Sequence, residues 1–153
     1  DALNALSQTP EWWKKLKRDA ILTPHPGEMT RLSGLSMKAI SQDRLKTARD
    51  CAAKWNKTVL LKGANSIIAS PDGKARINAA ANAGLASAGT GDVLAGAIAG
   101  LLAQGLPYAA AAACGVYLHT AAAAMLSGEM GDAGMIAGDL LPALPKVIKN
   151  IKS

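Results

Sequence analysis

Thr58-Val59-Leu60-Leu61 is a continuous run of strand-forming residues with no polar alternation after Thr58. A strand that is apolar on both faces must be covered on both faces, as happens in a sheet with helices packed above and below it. The segment before it has helical spacing: between Ser36 and Trp55, Met37, Ile40, Ala48, Ala52 and Trp55 recur with Lys, Arg and Asp between them. Further upstream, Asp19–Thr23 reads as a short strand entering Thr23-Pro24-His25-Pro26-Gly27-Glu28, where Pro26 suits a first helical position and Gly34 a helix end. Before it, Asp1–Asp19 reads as a short helical region and a polar connection, with Trp12 and Trp13 packing it against a neighbour. After Lys62-Gly63, Ser66–Ser70 and Lys74–Asn78 alternate around Pro71-Asp72-Gly73, which predicts a hairpin. Strands alternating with helices predict an α/β layered architecture. Two parallel strands and one hairpin are fewer than a doubly wound sheet takes, so the chain reads as incomplete.

The second half has a different texture. Asn78–Asp92 is a loop of Gly, Ala, Ser and Asn, too small and flexible in composition to be core. It runs into a helix expected over Thr90–Gln104, with a bulky side (Val93, Leu94, Ile98, Leu101, Leu102) and a small side (Ala95, Gly96, Ala99, Gly100) that permits close approach of a neighbour. Helices are expected again over Tyr108–Leu126 and Asp139–Ile151. No charge lies between Asp92 and Glu129, and Pro107–Leu126 is long enough to span a bilayer. That stretch is mostly Ala, however, is interrupted by Gly115, His119 and Thr120, and follows a break at Gly105-Leu106-Pro107. Buried helices of a packed core are therefore expected, and no membrane.

With 153 residues the chain fits one domain, and half of it is apolar. The net charge of +6 comes from Lys14, Lys15, Lys17 and Arg18, from the Lys38–Lys57 segment, and from Lys146, Lys149 and Lys152. These suit helix surfaces and a chain end. Without a recognisable module or stacking aromatics, nucleic acid is not the expected partner, whereas anionic nucleotides suit a basic balance. Cys51 and Cys114 form no CxxC pair and are expected to be buried thiols in a reducing cytoplasm, and no secretory leader is read. His25 and His119 are far apart and lack an acidic cluster at ligand spacing, so no protein-built metal site is expected. His119, on an Ala-rich helix, is expected to be a satisfied buried histidine.

The chemistry points to Gly89-Thr90-Gly91-Asp92 at the start of the apolar helix. Glycines let backbone N–H groups face a ligand without Cβ interference, and the helix N-terminus adds partial positive charge suited to a phosphoryl group. Asp92 could equally do no more than complement the helix dipole. The long small-residue approach costs conformational entropy and exchanges packing for backbone access, which favours the binding reading.

Taken together, NAGLASAGTGDVLAGAIAGLLAQG, LTPHPGEMTRLSG at Leu22–Gly34, VLLKGANSIIASPDG at Val59–Gly73 and MIAGDLLPALP at Met135–Pro145 closely resemble, in order, the ADP/ATP-dependent NAD(P)H-hydrate dehydratase family of the ribokinase-like superfamily. The resemblance implies a ribokinase-like fold, a mostly parallel central sheet with helices on both faces. It implies removal of water from hydrated NADH or NADPH (NADHX, NADPHX), driven by cleavage of an ADP or ATP phosphate. Asp92 would be the catalytic base and a substrate contact, and His25 a second substrate contact. Lys62, Gly63, Ala64, Asn65, Ser66 and Gly91 would hold the nucleotide. Backbone amides of Gly89, Thr90 and Gly91 would form the anion hole, with Asn82 shaping the nucleotide side. Magnesium would arrive with the nucleotide phosphates, and a homo-oligomer is implied. In this family an Asp-rich strand end and about half the domain precede a segment like DALNAL, so residues 1–153 read as the carboxy-terminal portion of one domain, to be completed by preceding sequence or a second chain. Two alternatives stay open. One is a ribokinase-like small-molecule kinase using the same GTGD turn, which should lack TPHPGE. The other is an inactive fragment acting only through association with another chain.

Overall fold

The computed structural model describes residues 2–131 and 133–152, with the side chain of Lys152 excepted. Asp1, where the expected opening segment begins, lies outside the described residues. The chain divides into two compact units, Asp1–Ile77 and Asn78–Ser153.

In the first unit, helices α1 (Ala2–Ser7) and α2 (Trp12–Lys15) precede strand β1 (Ile21–Leu22). Helices α3 (Pro26–Ser33), α4 (Met37–Gln42) and α5 (Arg44–Trp55) follow, then strands β2 (Thr58–Leu61), β3 (Ser66–Ala69) and β4 (Ala75–Asn78). The sheet order is β1-β2-β3-β4. β1 runs parallel to β2, pairing Ile21 with Thr58 and Leu22 with Val59. β2 runs antiparallel to β3, pairing Val59 with Ala69, Leu60 with Ile68 and Leu61 with Ile67. The sheet is thus mixed, with the expected parallel pair continued by the expected hairpin strands.

All of β2 is buried, as its composition requires. Val59 and Leu61 join Ile67 and Ala69 in a core built with Met29, Leu32, Ile40 and the inner face of α5 (Ala48, Cys51, Ala52, Trp55). Trp12 belongs to this core, its ring centroid 4.9 Å from that of Trp55 and 5.7 Å from that of Trp13. The aromatic cluster is what fastens the opening segment down, and Lys54 Nζ lies 4.8 Å from the Trp13 ring centroid.

The single helix expected from Ser36 to Trp55 is two. It breaks at Asp43, whose backbone leaves the helical region (φ −148°, ψ 84°) and whose carboxylate accepts the Lys46 N–H at 2.8 Å. Ser36 caps α4 in the same way, accepting from Ala39 N–H at 3.2 Å. Apolar periodicity continues across the break, so the pattern alone does not register it.

The second unit begins with a 3₁₀ turn (Ala83–Ala86) and continues with α6 (Thr90–Ala103), α7 (Tyr108–Met130) and α8 (Ala137–Lys152). α7 packs against both α6 and α8. At Gly115 a Cβ would stand 2.5 Å from Ile98 Cγ1, so glycine is what lets α6 and α7 approach there. Leu94 and Ile98 are the buried residues of the bulky side of α6. The small side is exposed: Ala95, Gly96, Ala99 and Gly100 all face outward. α7 is long and apolar enough to cross a membrane by length and composition. Its Ala111, Ala112, Gly115, Val116, His119, Thr120, Ala122 and Ala123 are nevertheless buried, as expected of a core helix.

Two expectations are corrected. Cys114 is exposed, because it lies on the outer face of α7 beside the exposed Tyr117, and only Cys51 is a buried thiol. The loop before α6 is not excluded from packing either: Gly84 is buried, and a Cβ on it would lie 3.0 Å from Met135 Sδ and Cε. A side chain on Gly84 would therefore need the flexible end of Met135 to give way.

Candidate functional site

In the first unit the site residues gather at the start of α3. His25 is its N-cap: Nδ1 accepts the Gly27 N–H at 3.0 Å and the Glu28 N–H at 3.3 Å, while Glu28 Oε2 accepts the His25 N–H at 2.7 Å. This is a capping box with histidine in the usual place of Ser or Thr. A ring nitrogen that accepts carries no hydrogen, so the imidazole hydrogen resides on Nε2. That Nε2 lies 3.6 Å from Glu28 Oε2, and Lys62 Nζ lies 3.8 Å from the same oxygen. Lys62 is also fixed by its backbone, whose N–H donates to Pro24 O at 2.9 Å. One carboxylate therefore stands between His25 and Lys62. Glu28 is not among the residues singled out in the sequence, although its position three after His25 is the capping-box spacing.

The Lys62–Ser66 loop is shaped by Arg44, which no sequence pattern marks. Arg44 Nη2 donates to Lys62 O at 3.0 Å and lies 3.4 Å from Leu61 O, capping the end of β2. A Cβ on Gly63 would collide with this guanidinium, coming within 2.9 Å of Cζ, so the close approach of Arg44 requires glycine. Ser66 Oγ donates to Gly63 O at 3.1 Å and closes the loop, while Ala64 and Asn65 are exposed at its tip.

In the second unit the turn Gly89-Thr90-Gly91-Asp92 opens α6. Gly89 is its N-cap with left-handed backbone (φ 83°, ψ −15°), a conformation glycine adopts without penalty. The Gly89 carbonyl accepts from Asp92 N–H at 3.0 Å and from Val93 N–H at 3.2 Å. Thr90 N–H reaches Ser87 O only at 3.4 Å, a long bond that a better acceptor could replace. The Thr90 side chain is buried, its Oγ1 2.7 Å from Leu85 O and 2.8 Å from Ser87 O, which straps the preceding turn to the helix. Ser87 Oγ donates to Met135 O at 2.8 Å, and a Cβ on Gly89 would lie 3.1 Å from that of Ala137, so the start of α8 braces the same turn. Asn82 caps the 3₁₀ turn through Gly84 N–H at 2.9 Å and donates to Ser127 Oγ at 2.8 Å. Those bonds shape the loop. Asp92 is exposed in the first turn of α6, and no partner for its carboxylate is found among the described residues.

Buried histidine is found where expected: His119 on α7 is 6% exposed, with Nε2 2.9 Å from Thr90 O. Among the described residues no group of three or more His, Cys, Asp or Glu is arranged to hold a metal ion.

A family model described as NAD(P)H-hydrate dehydratase matches residues 1–146. The chain is 48% identical over 152 residues to the bifunctional NAD(P)H-hydrate repair enzyme of Moorella thermoacetica, covering 99% of this chain and 29% of that protein. It is 44% identical over 146 residues to the ADP-dependent (S)-NAD(P)H-hydrate dehydratase of Neisseria meningitidis serogroup B, covering 94% of this chain and 49% of that protein. The crystal structure of the ADP/ATP-dependent NAD(P)H-hydrate dehydratase of Bacillus subtilis, co-crystallised with ATP and Mg2+, superposes with a TM-score of 0.82 at 38% identity, over 85% of this chain and 47% of that one. A ribokinase-like superfamily protein of Enterococcus faecalis gives the same TM-score at 33% identity, over 97% of this chain and 50% of that one. The chain thus spans about half the length of the single-function dehydratase and less than a third of the bifunctional enzyme.

Proposed function

Because the chain belongs to the NAD(P)H-hydrate dehydratase family, we propose that it carries part of the machinery that restores NADH or NADPH from the hydrated form, NADHX or NADPHX, at the expense of an ADP or ATP phosphate. The observation that carries this reading is the turn at the start of α6, where a left-handed Gly89 is followed within one helical turn by an exposed Asp92.

Asp92 accepts the proton of the ring hydroxyl as that oxygen attacks the terminal phosphorus of the nucleotide. The shortened nucleotide leaves, and the amides of Gly89, Thr90 and Gly91 face the charge that develops on the transferring group. Phosphate then departs with the C–O bond while the neighbouring ring carbon gives up a proton, which restores the double bond. His25 contacts the substrate, its orientation set by the capping box with Glu28. Lys62, Gly63, Ala64, Asn65 and Ser66 are nucleotide contacts of the first unit and Gly91 one of the second, and magnesium travels with the phosphates. The family match runs through both compact units, which supports reading residues 1–153 as the carboxy-terminal portion of one domain. The complete assembly would be a homo-oligomer or include a second chain, and two free thiols suit the cytoplasm.

The test is incubation of the protein bearing this chain with hydrated NADH and with ADP or ATP. Return of the reduced-nicotinamide absorbance, with one phosphate released per molecule restored, is the expected result. Phosphoryl transfer to a sugar or pyrimidine alcohol without dehydration would instead support a small-molecule kinase.

A further inference from the structure

Resting on the dehydratase reading, we propose that His119 is a positioning residue that acts through the Thr90–Gly91 peptide to orient and strengthen the Gly91 N–H as a hydrogen-bond donor to the transferring phosphoryl group. His119 projects from α7 with Nε2 2.9 Å from Thr90 O. A carbonyl oxygen can only accept, so Nε2 is the donor. The Thr90 carbonyl and the Gly91 N–H belong to one planar peptide unit and point in opposite directions. A donor placed on the carbonyl fixes the plane of that unit. It also polarises it, drawing density from the nitrogen and making the N–H a stronger donor at its other end.

A first-turn helical carbonyl normally accepts from the amide four residues on, and its second lone pair is open to a further donor. His119 supplies that donor from a neighbouring helix. Thr90 is thereby held at both ends, by its hydroxyl against the Leu85 and Ser87 carbonyls and by its own carbonyl against α7. Gly91, the next residue, has no side chain to shield the polarised amide.

The burial of an imidazole here calls for such an account. His119 is 6% exposed on a helix whose other buried residues include Val116, Thr120, Ala122 and Ala123. A leucine would fill comparable space without the cost of desolvating a polar ring. Packing alone therefore gives no reason for histidine, whereas a carbonyl to be held does.

Glutamine and asparagine separate the two roles. The side-chain nitrogen of glutamine reaches as far from Cβ as Nε2 of histidine, and that of asparagine falls a bond short. Both variants are polar, so the comparison does not depend on an apolar replacement folding. In the protein bearing this chain, His119→Asn should slow base-catalysed amide hydrogen exchange at Gly91, whose N–H loses its polarisation, and lower kcat about tenfold. KM for hydrated NADH should stay within about twofold, because the lost interaction matters only as phosphoryl charge develops. His119→Gln should restore both the parental exchange rate and kcat. Asn and Gln variants that behave alike, or an Asn variant with parental exchange and kcat, would overturn the proposal. The exchange measurement needs no turnover, so a parent protein inactive on hydrated NADH would count against the dehydratase reading while His119 is still judged at the Gly91 amide.

Discussion

Cys51 and Cys114 show how far two identical side chains diverge by placement. Cys51 is 5% exposed in the core face of α5, and burial pushes its thiol from the ordinary 9.0 up to about 11. The native state thus keeps its proton where the unfolded chain has lost it. Stability from this group is fully present below about pH 9 and is lost as pH rises toward 11, an effect of order 2 kcal/mol. Alkylation at mildly alkaline pH should accordingly label Cys114 and spare Cys51 until the protein unfolds; equal labelling in the native state would show that α5 does not protect its thiol. At this scale the sequence is informative where a residue's chemistry is local. The glycine start of α6, Asp92 in its first turn and the buried His119 were all legible from residue type and position. Glu28 and Arg44 were less so, since Arg44 reaches the Lys62 carbonyl only once α5 is packed beside β2.

Among the elements, the break between α4 and α5 depends on one side chain. Asp43 leaves the helical region and accepts the Lys46 N–H, while its own carbonyl accepts from Thr47 Oγ1 at 2.8 Å. Asp43→Ala removes the N-cap of α5 and should lower unfolding free energy by about 1 kcal/mol in denaturant melts. An unchanged midpoint would mean that packing of Ile40 and Ala48 holds the break without the cap. The sequence missed this boundary because Ile40 of α4 and Ala48, Ala52 and Trp55 of α5 all face the core, although Met37 is exposed, and periodicity does not detect a kink that preserves such a pattern. The α6 helix was read within a residue of its bounds, its glycine N-cap and apolar side both being local signals. Its exposed small side was not, because a Gly and Ala stripe is compatible with close packing and equally with open surface.

For the whole molecule, the family match runs over residues 1–146, across both the short mixed sheet and the small-residue helical region. β1 forms one edge of the sheet, and Ile136, Leu141, Ile148 and Ile151 are exposed on and before α8. Sheet edges and apolar helix faces recruit partners, so the isolated 153-residue chain should sediment as an associated species. A monomer that melts cooperatively and turns over hydrated NADH would show that these surfaces need no cover. The α/β class was legible from β2 alone, since a strand apolar on both faces leaves few other architectures. The most direct test of the proposed chemistry is Asp92→Asn in the protein bearing this chain, with ATP affinity and NADH restoration measured side by side. Removing the proton acceptor while keeping its shape should leave ATP binding within about threefold and lower turnover about 10²–10⁴-fold. Turnover within a few-fold of the parent would contradict the assignment of Asp92 as the base.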